Sequence, residues 1–347
     1  MDLSFWKGKR VFLTGHTGFK GSWLCKILAG LGSELTGYSL SPQTEPSLFY
    51  LSGIENKMTS VTGDIRDKEN LLKVFNKAQP EVVIHMAAQP LVRESYQNPS
   101  YTYEVNVMGT VNILECVRLS NTVNAVLNVT TDKVYYNNEW QWGYRETDTL
   151  GGFDPYSNSK SCSEFVTQSY INSFFAGTGI SVSTARAGNV IGGGDFAENR
   201  IVPDCIRAAL KNDKIIVRNP NAVRPFQHVL EPLFAYLMLI QNSRTGCYNV
   251  GPDDSDCISV GILADYFCKT WGEGLHWAQE SAAGPHEAQF LKLDCSKIKS
   301  DIGWVPHWNV KTAIDKTVEW AKAHLNNCNP GEVMDAQILQ YMEGKND

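Results

Sequence analysis

Two kinds of apolar spacing alternate along the first half of the chain. Short strand-like runs recur at residues 10–14, 34–39, 58–62, 81–85, 125–129 and 180–185, several with consecutive apolar residues (Val11-Phe12-Leu13, Val82-Val83-Ile84, Ala125-Val126-Leu127) as strands buried on both faces of a parallel sheet have. Between them the apolar positions fall at intervals of three and four. Trp23, Leu24, Ile27, Leu28 and Leu31 follow the first run, Leu71, Leu72 and Phe75 the third, residues 103–119 the fourth, and a long stretch opening at Tyr156 the fifth. The alternation predicts an α/β fold with a doubly wound parallel sheet over residues 1–188. From Asn189 the rhythm loosens. Helical spacing at 202–210, 230–241, 260–271 and 310–325, with strands at 214–218 and 247–250, predicts a smaller mixed α/β domain over 189–347. Some of its segments are expected to return to the main sheet.

The first strand breaks into Gly15-His16-Thr17-Gly18-Phe19-Lys20-Gly21 and then a helix. Glycines there admit positive φ and let a pyrophosphate approach the unpaired N–H groups and positive dipole end of the helix. The chemistry to expect is dinucleotide binding; an ordinary strand-turn-helix corner is the other reading. The second strand ends in Tyr38-Ser39-Leu40-Ser41, with neither the carboxylate that grips ribose hydroxyls nor an arginine for a 2′-phosphate. NAD is expected over NADP, though weakly specified. Asp64, beside Ile65, can accept from an adenine amino group, while Asp67 suits a helix N-cap. Ala87 and Ala88, before Gln89, are small residues at a strand's carboxyl end, where such sheets bind ligands.

Across 347 residues the formal charge is −6 and no basic run occurs, so nucleic acid is not an expected partner. No apolar run is long enough for a bilayer, and residues 1–9 leave no room for a signal segment before the first strand. Nine scattered cysteines without a CxxC pair fit free thiols in a reducing cytoplasm better than disulfides or zinc. No metal site is expected.

Tyr156 and Lys160 lie one helical turn apart and share a face. An ammonium near a phenol favours the phenolate, so this pair is expected to lower the tyrosine pKa and make it a base for a sugar hydroxyl; a surface Tyr/Lys pair is the alternative. Thr131, just past a strand end, can share the proton.

The glycine loop, Asp64-Ile65, Ala87-Ala88, Asn106, Thr131 and Tyr156-xxx-Lys160 together resemble the extended short-chain dehydrogenase/reductases that act on nucleotide sugars, which have a Rossmann-type sheet. The resemblance implies that Gln89, Asn106, Tyr156 and Lys160 join the loop in holding NAD. Asp132-Lys133 stands where thymidine-linked sugar dehydratases have Asp-Glu, and this departure resembles the cytidine-linked 4,6-dehydratases. His16, Phe19, Lys20, residues 142–146 and residues 225–228 add to that match. The implied reaction on CDP-glucose oxidises C4, eliminates water across C5–C6 and returns hydride to C6. In it Lys133 either takes the C5 proton or stays charged beside the enolate, while Asp132 serves the C6 hydroxyl. Asn189 and Arg224 are the implied diphosphate ligands, with Arg93, Arg200, Arg218 and His286 as further substrate contacts. A homodimer is implied, a tetramer being the other assembly. A 4-epimerase, a dehydratase for another nucleotide hexose, and a catalytically silent binding protein are the alternatives.

Overall fold

A computed structural model describes residues 1–280 and 288–344. The strands are β1 (Arg10–Thr14), β2 (Glu34–Ser39), β3 (Thr59–Thr62), β4 (Val82–His85), β5 (Ala125–Val129), β6 (Ser181–Ala187), β7 (Asn189–Ile191), β8 (Ile215–Val217), β9 (Val223–His228), β10 (Gly246–Val250), β11 (Cys257–Ser259) and β12 (Trp277–Gln279). Seven of them form one parallel sheet in the order β3-β2-β1-β4-β5-β6-β10. The order reverses between β1 and β4, and such a switch point opens a crevice at the carboxyl ends of the strands. Every residue of β4, β5 and β6 is buried, as central parallel strands require, whereas three of the four residues of edge strand β3 are exposed.

Helices α1 (Phe19–Gly30), α2 (Leu48–Leu51), α3 (Lys68–Ala78), α4 (Val92–Gln97), α5 (Pro99–Tyr103), α6 (Gly109–Arg118) and α7 (Pro155–Tyr170) belong to the first half. Asp67 caps α3 by accepting from Asn70 N at 3.1 Å, as its position predicted. The helix expected at 103–119 runs as α5 and α6 joined by a π-helical turn, Glu104–Met108, that carries Asn106. Phe12, Val83 and Val126 pack with Ile113, Leu114 and Phe75 on one sheet face. Leu13, Ile84 and Leu127 pack with Trp23, Leu24 and Leu28 on the other.

The second half contains α8 (Ile201–Leu210), α9 (Leu230–Gln241), α10 (Val260–Trp271), α11 (Ser296–Ile302), α12 (Val310–Leu325) and α13 (Pro330–Met342). It splits between two cores. Val202, Cys205, Phe226, Leu263, Phe267 and Ile314 form one of their own. Leu233 and Leu237 of α9 join the main core, and β10 extends the main sheet beside β6. The small sheet β11-β9-β7 and helix α13 have no counterpart in the apolar pattern. Trp23 of α1 donates to the Gly193 carbonyl at 3.0 Å, tying α1 to the Gly192-Gly193-Gly194 turn that follows β7. The nine cysteines are free thiols, and among the described residues no helix is long and apolar enough to cross a membrane.

Candidate active site

The glycine loop leaves β1 at the switch point and presses against the exit of β4. Gly15 has φ 76°, and a Cβ there would lie 2.7 Å from Ala87 N and 2.8 Å from the Met86 carbonyl carbon, so neither conformation nor space admits a side chain. The Thr14 hydroxyl accepts from Ala87 N at 3.1 Å, which holds Ala87 and Ala88 beside the loop. Gly18 caps α1 with no side-chain hydrogen bond, and no acidic residue stands in the first turn, which holds Phe19, Lys20 and Gly21. A Cβ on Gly21 would run into the Gly15 carbonyl. An uncapped helix start behind a side-chain-free cradle fits a pyrophosphate.

Side chains around that cradle depart from expectation. His16 is fully buried, with Nε2 2.7 Å from the Ser60 hydroxyl and its ring edge-on to Phe49 at 5.3 Å. Burial drives its pKa down to about 4, so it is a neutral packing residue whose backbone alone borders the cradle. Thr17 closes the end of β2, its hydroxyl donating to the Leu40 carbonyl at 2.9 Å and lying 2.9 Å from the Ser39 hydroxyl. Asp64, expected to meet adenine, is gripped by Arg66 Nη2 at 2.7 Å and by Arg66 N at 2.9 Å, which hold its carboxyl below the usual range. Ile65 is buried against Gly109. Gln89 and Asn106 form an internal strut: Gln89 N donates to Asn106 Oδ1 at 2.8 Å, and Asn106 Nδ2 donates to Gln89 O at 3.1 Å and Ser159 Oγ at 2.9 Å. The Gln89 side chain donates to Thr102 and accepts from Leu91 N, so it supports the wall of the site.

The turn leaving β5 brings the reaction groups together. Thr131 hydrogen-bonds to the Tyr156 phenol, and its hydroxyl donates to Asp132 Oδ1 at 3.0 Å. Lys133 Nζ is 3.0 Å from the same Asp132 oxygen and donates to Asn189 Oδ1 at 3.5 Å. Asp132 is completely buried, and its Oδ2 has no hydrogen-bond partner among the described residues. Buried acceptors are normally satisfied, so this oxygen asks for a donor from a ligand. Lys160 is buried and donates to the Val129 carbonyl at 3.1 Å.

The lysine does not dominate the tyrosine as its spacing suggested. Burial pushes the Tyr156 phenol up to about 12 against the Thr131 hydrogen bond, and Asp132 adds to the rise. Burial, helped by Lys20, brings Lys160 down to about 7. Desolvation penalises both charged forms more than their neighbours restore. Lys20, expected among cofactor ligands, carries its ammonium into the electrostatic reach of Arg200, Asp132, Lys133 and Asp195, and burial lowers it to about 8.

The substrate candidates separate. Arg200 pairs with buried Asp195 at 2.9 Å and adjoins Lys20; Asn189 meets Lys133. Arg93 instead donates to Asn199 at 3.3 Å, and Arg218 faces Asp204 of α8 at 3.7 Å. Arg224 is buried, donating to the Val223 carbonyl at 2.9 Å and to the Ala288 carbonyl, so its charge is wrapped by backbone oxygens. His286 lies outside the described residues. Spacing arguments overlooked Thr130, Glu164, Arg186 and Asp195; Glu164, one turn beyond Lys160, had a signal in the same periodicity.

The family model described as GDP-mannose 4,6 dehydratase matches residues 12–317. The chain belongs to this family. Its members are extended short-chain dehydrogenase/reductases. A CDP-glucose 4,6-dehydratase of Salmonella typhimurium is 46% identical, over 96% of this chain and 98% of that protein. A putative UDP-glucose 4-epimerase of Methanocaldococcus jannaschii is 29% identical over 90% of this chain and 98% of its own. Among solved structures, a UDP-glucose 4-epimerase of Thermotoga maritima superposes with a TM-score of 0.82 at 20% identity, covering 91% of this chain and 99% of that one. A dTDP-glucose 4,6-dehydratase of Bacillus anthracis in complex with NAD gives 0.78 at 20% identity, with 92% and 99% covered. At such identities the family's shared fold is the finding.

Proposed function

We propose that this protein is a CDP-glucose 4,6-dehydratase, a hydro-lyase that converts CDP-glucose to its 4-keto-6-deoxy derivative and water and uses NAD as a recycled cofactor. The observation that carries the reading is the Asp132–Lys133 pair at 3.0 Å beside Thr131. A 4-epimerase needs no second acid/base pair, whereas a 4,6-dehydratase has a C5 proton to remove and a C6 hydroxyl to expel. The 46% identity to the Salmonella enzyme supports the cytidine nucleotide.

The cradle of Gly15, Gly18 and Gly21 suits the NAD pyrophosphate through backbone N–H groups, with Ala87 and Ala88 along the wall and Lys160 as ribose ligand. The chemistry NAD supplies when bound is a hydride acceptor at C4, a positive ring charge and, after elimination, a hydride donor at C6. Tyr156 takes the C4 hydroxyl proton, assisted by the Thr131 hydrogen bond and the Lys160 charge. With C4 a ketone, the C5 proton becomes acidic. Either neutral Lys133 takes the C5 proton while Asp132, protonated on its unpartnered Oδ2, gives the C6 hydroxyl the proton with which it departs as water, or Lys133 stays charged beside the enolate while the Asp132 carboxylate takes the C5 proton on Oδ2 and hands it to the departing C6 hydroxyl. Asn189 beside Lys133, and Arg200 beside Lys20, are the substrate ligands this arrangement favours.

Exposed Met108, Phe165 and Phe174 on neighbouring helical segments suit burial against a second copy, which supports a homodimer, with a tetramer as the other assembly. A cytoplasmic role in making deoxysugars for lipopolysaccharide O-antigen accords with a nucleotide-sugar substrate. The test is incubation with NAD⁺ and, separately, CDP-, UDP- and dTDP-glucose, following product mass. Loss of one water from CDP-glucose alone is expected; unchanged mass with altered sugar configuration would make it an epimerase.

A further inference from the structure

Tyr156, Lys160 and Glu164 follow one another at intervals of four on α7, each step about 6 Å along the axis, so they share one face. The first two belong to the reaction proposed above. Glu164 sits behind them, 4% exposed, and each of its oxygens accepts two hydrogen bonds. Oε1 takes the Thr130 hydroxyl at 2.5 Å and Arg186 Nε at 3.1 Å; Oε2 takes the Thr184 hydroxyl at 2.7 Å and Arg186 Nη2 at 3.0 Å. Arg186, itself 3% exposed, also donates to the Tyr135 hydroxyl at 2.8 Å.

Thr130 and Tyr135 bracket Thr131, Asp132 and Lys133 in sequence. The carboxylate and its arginine therefore clamp both ends of the turn that presents the reaction groups, and they clamp it to the helix that presents Tyr156. We propose that Glu164, fixed by Arg186, is a positioning residue for the reaction: it anchors the turn carrying Thr131, Asp132 and Lys133 and places a negative charge on the Tyr156–Lys160 face of α7. A pair that served packing alone would have no need to engage the first residue of that turn.

The electrostatics agree with the geometry. Charged and titratable groups reach Lys160 from three elements: Lys20 from α1, His85 from β4, and Glu164 from α7 itself. His85 is buried and neutral, its pKa driven down to about 3, and Lys20 repels. Glu164 is the group that favours the charged lysine. Removing its charge lowers the Lys160 pKa further. Activity that needs the lysine protonated is lost as pH rises through that pKa, so the high-pH limb of the kcat profile moves to lower pH.

The proposal rests on the tyrosine-base reading, and the experiment keeps the two apart. Glu164→Gln, Glu164→Asp, the double variant Glu164→Gln/Arg186→Met, and Tyr156→Phe are assayed with NAD⁺ and CDP-glucose across pH 5.5–9, with thermal melts run in parallel. Glu164→Gln is expected to lower kcat by ~10-fold or more with KM within about threefold, and to shift the high-pH limb toward acid by ~0.5–1 unit. Glu164→Asp is expected to recover part of both. The double variant removes the unpaired buried arginine, so it is the one measured should Glu164→Gln fail to fold. A kcat loss and acidward limb persisting there support the proposal. Full recovery of kcat and pH profile in the double variant, or an unshifted profile in Glu164→Gln, overturns it in favour of a pair that only stabilises the fold. If Tyr156→Phe itself turns over normally, the tyrosine reading has failed, whatever Glu164 does.

Discussion

At the glycine-loop end of the site, the groups that would meet a ligand belong to the backbone, whereas at the rim of β5 they belong to side chains. His16, Thr17 and Gln89 all stand at the first end, and each has its side chain engaged elsewhere: His16 with Ser60, Thr17 with the end of β2, Gln89 with Thr102. At the second end Asp132, completely buried, keeps one carboxylate oxygen without a partner. A backbone site tolerates many side chains but no extra atom in the cradle. A side-chain site tolerates changes of packing but not of proton-bearing groups.

The largest effect is expected at the rim. Tyr156→Phe should lower kcat by ~10³-fold while leaving NAD affinity nearly intact, as loss of a general base does; a fluorescence titration of cofactor binding beside steady-state turnover checks both. Gly21→Ala should do the reverse. Its Cβ meets the Gly15 carbonyl, so the dissociation constant for NAD should rise by ~100-fold or more, with turnover at saturating cofactor far less affected. If Gly21→Ala bound NAD normally, the claim that this end works by close backbone approach would be lost. Asp132→Asn keeps the shape and removes the transferable proton. Elimination should slow by ~10–100-fold, and a 4-keto hexose that has kept its C6 hydroxyl should be trapped by borohydride. The smallest effect is expected from His16→Gln: NAD affinity within about threefold, with a stability loss of about 1 kcal/mol from the part-buried Ser60 contact, read by thermal melting. Because His16 is neutral above about pH 4, its replacement should leave the activity profile between pH 6 and 8 unchanged.

The contrast also explains what could be read from the chain. The strands β1, β4 and β5 were legible because consecutive apolar residues mark buried parallel strands, and β2, β3 and β6 because they fall in the alternation with helical spacing. The three-residue strands β7 and β11 were not, since three residues carry no period, and α13 was passed over despite Asn329 capping it and Pro330 in its first turn. The cradle was legible because glycine spacing is local. For Asp64 and Arg224, expected as ligands, the pattern did not show their partners within the chain, the Arg66 guanidinium and the Val223 and Ala288 carbonyls, which depend on side-chain direction and on a segment 64 residues away. Spacing placed Tyr156 and Lys160 on one face correctly but mistook the direction of the tyrosine shift, because desolvation is a property of the folded surroundings. Glu164 lay in plain view at the next turn; its meaning came from Arg186, which pairs with it from strand β6.

The return of β10 to the main sheet bears on how the chain is made. On the ribosome β6 is complete at Ala187, but its outer neighbour begins only at Gly246, about sixty residues later. At roughly 5–20 residues per second that is several seconds, during which a seven-residue strand buried along its whole length in the finished protein is an open edge able to pair with any passing strand. Cutting the gene after residue 188 would make that interval permanent, so the first half expressed alone should accumulate as aggregate unless residues 246–250 are supplied to cover it.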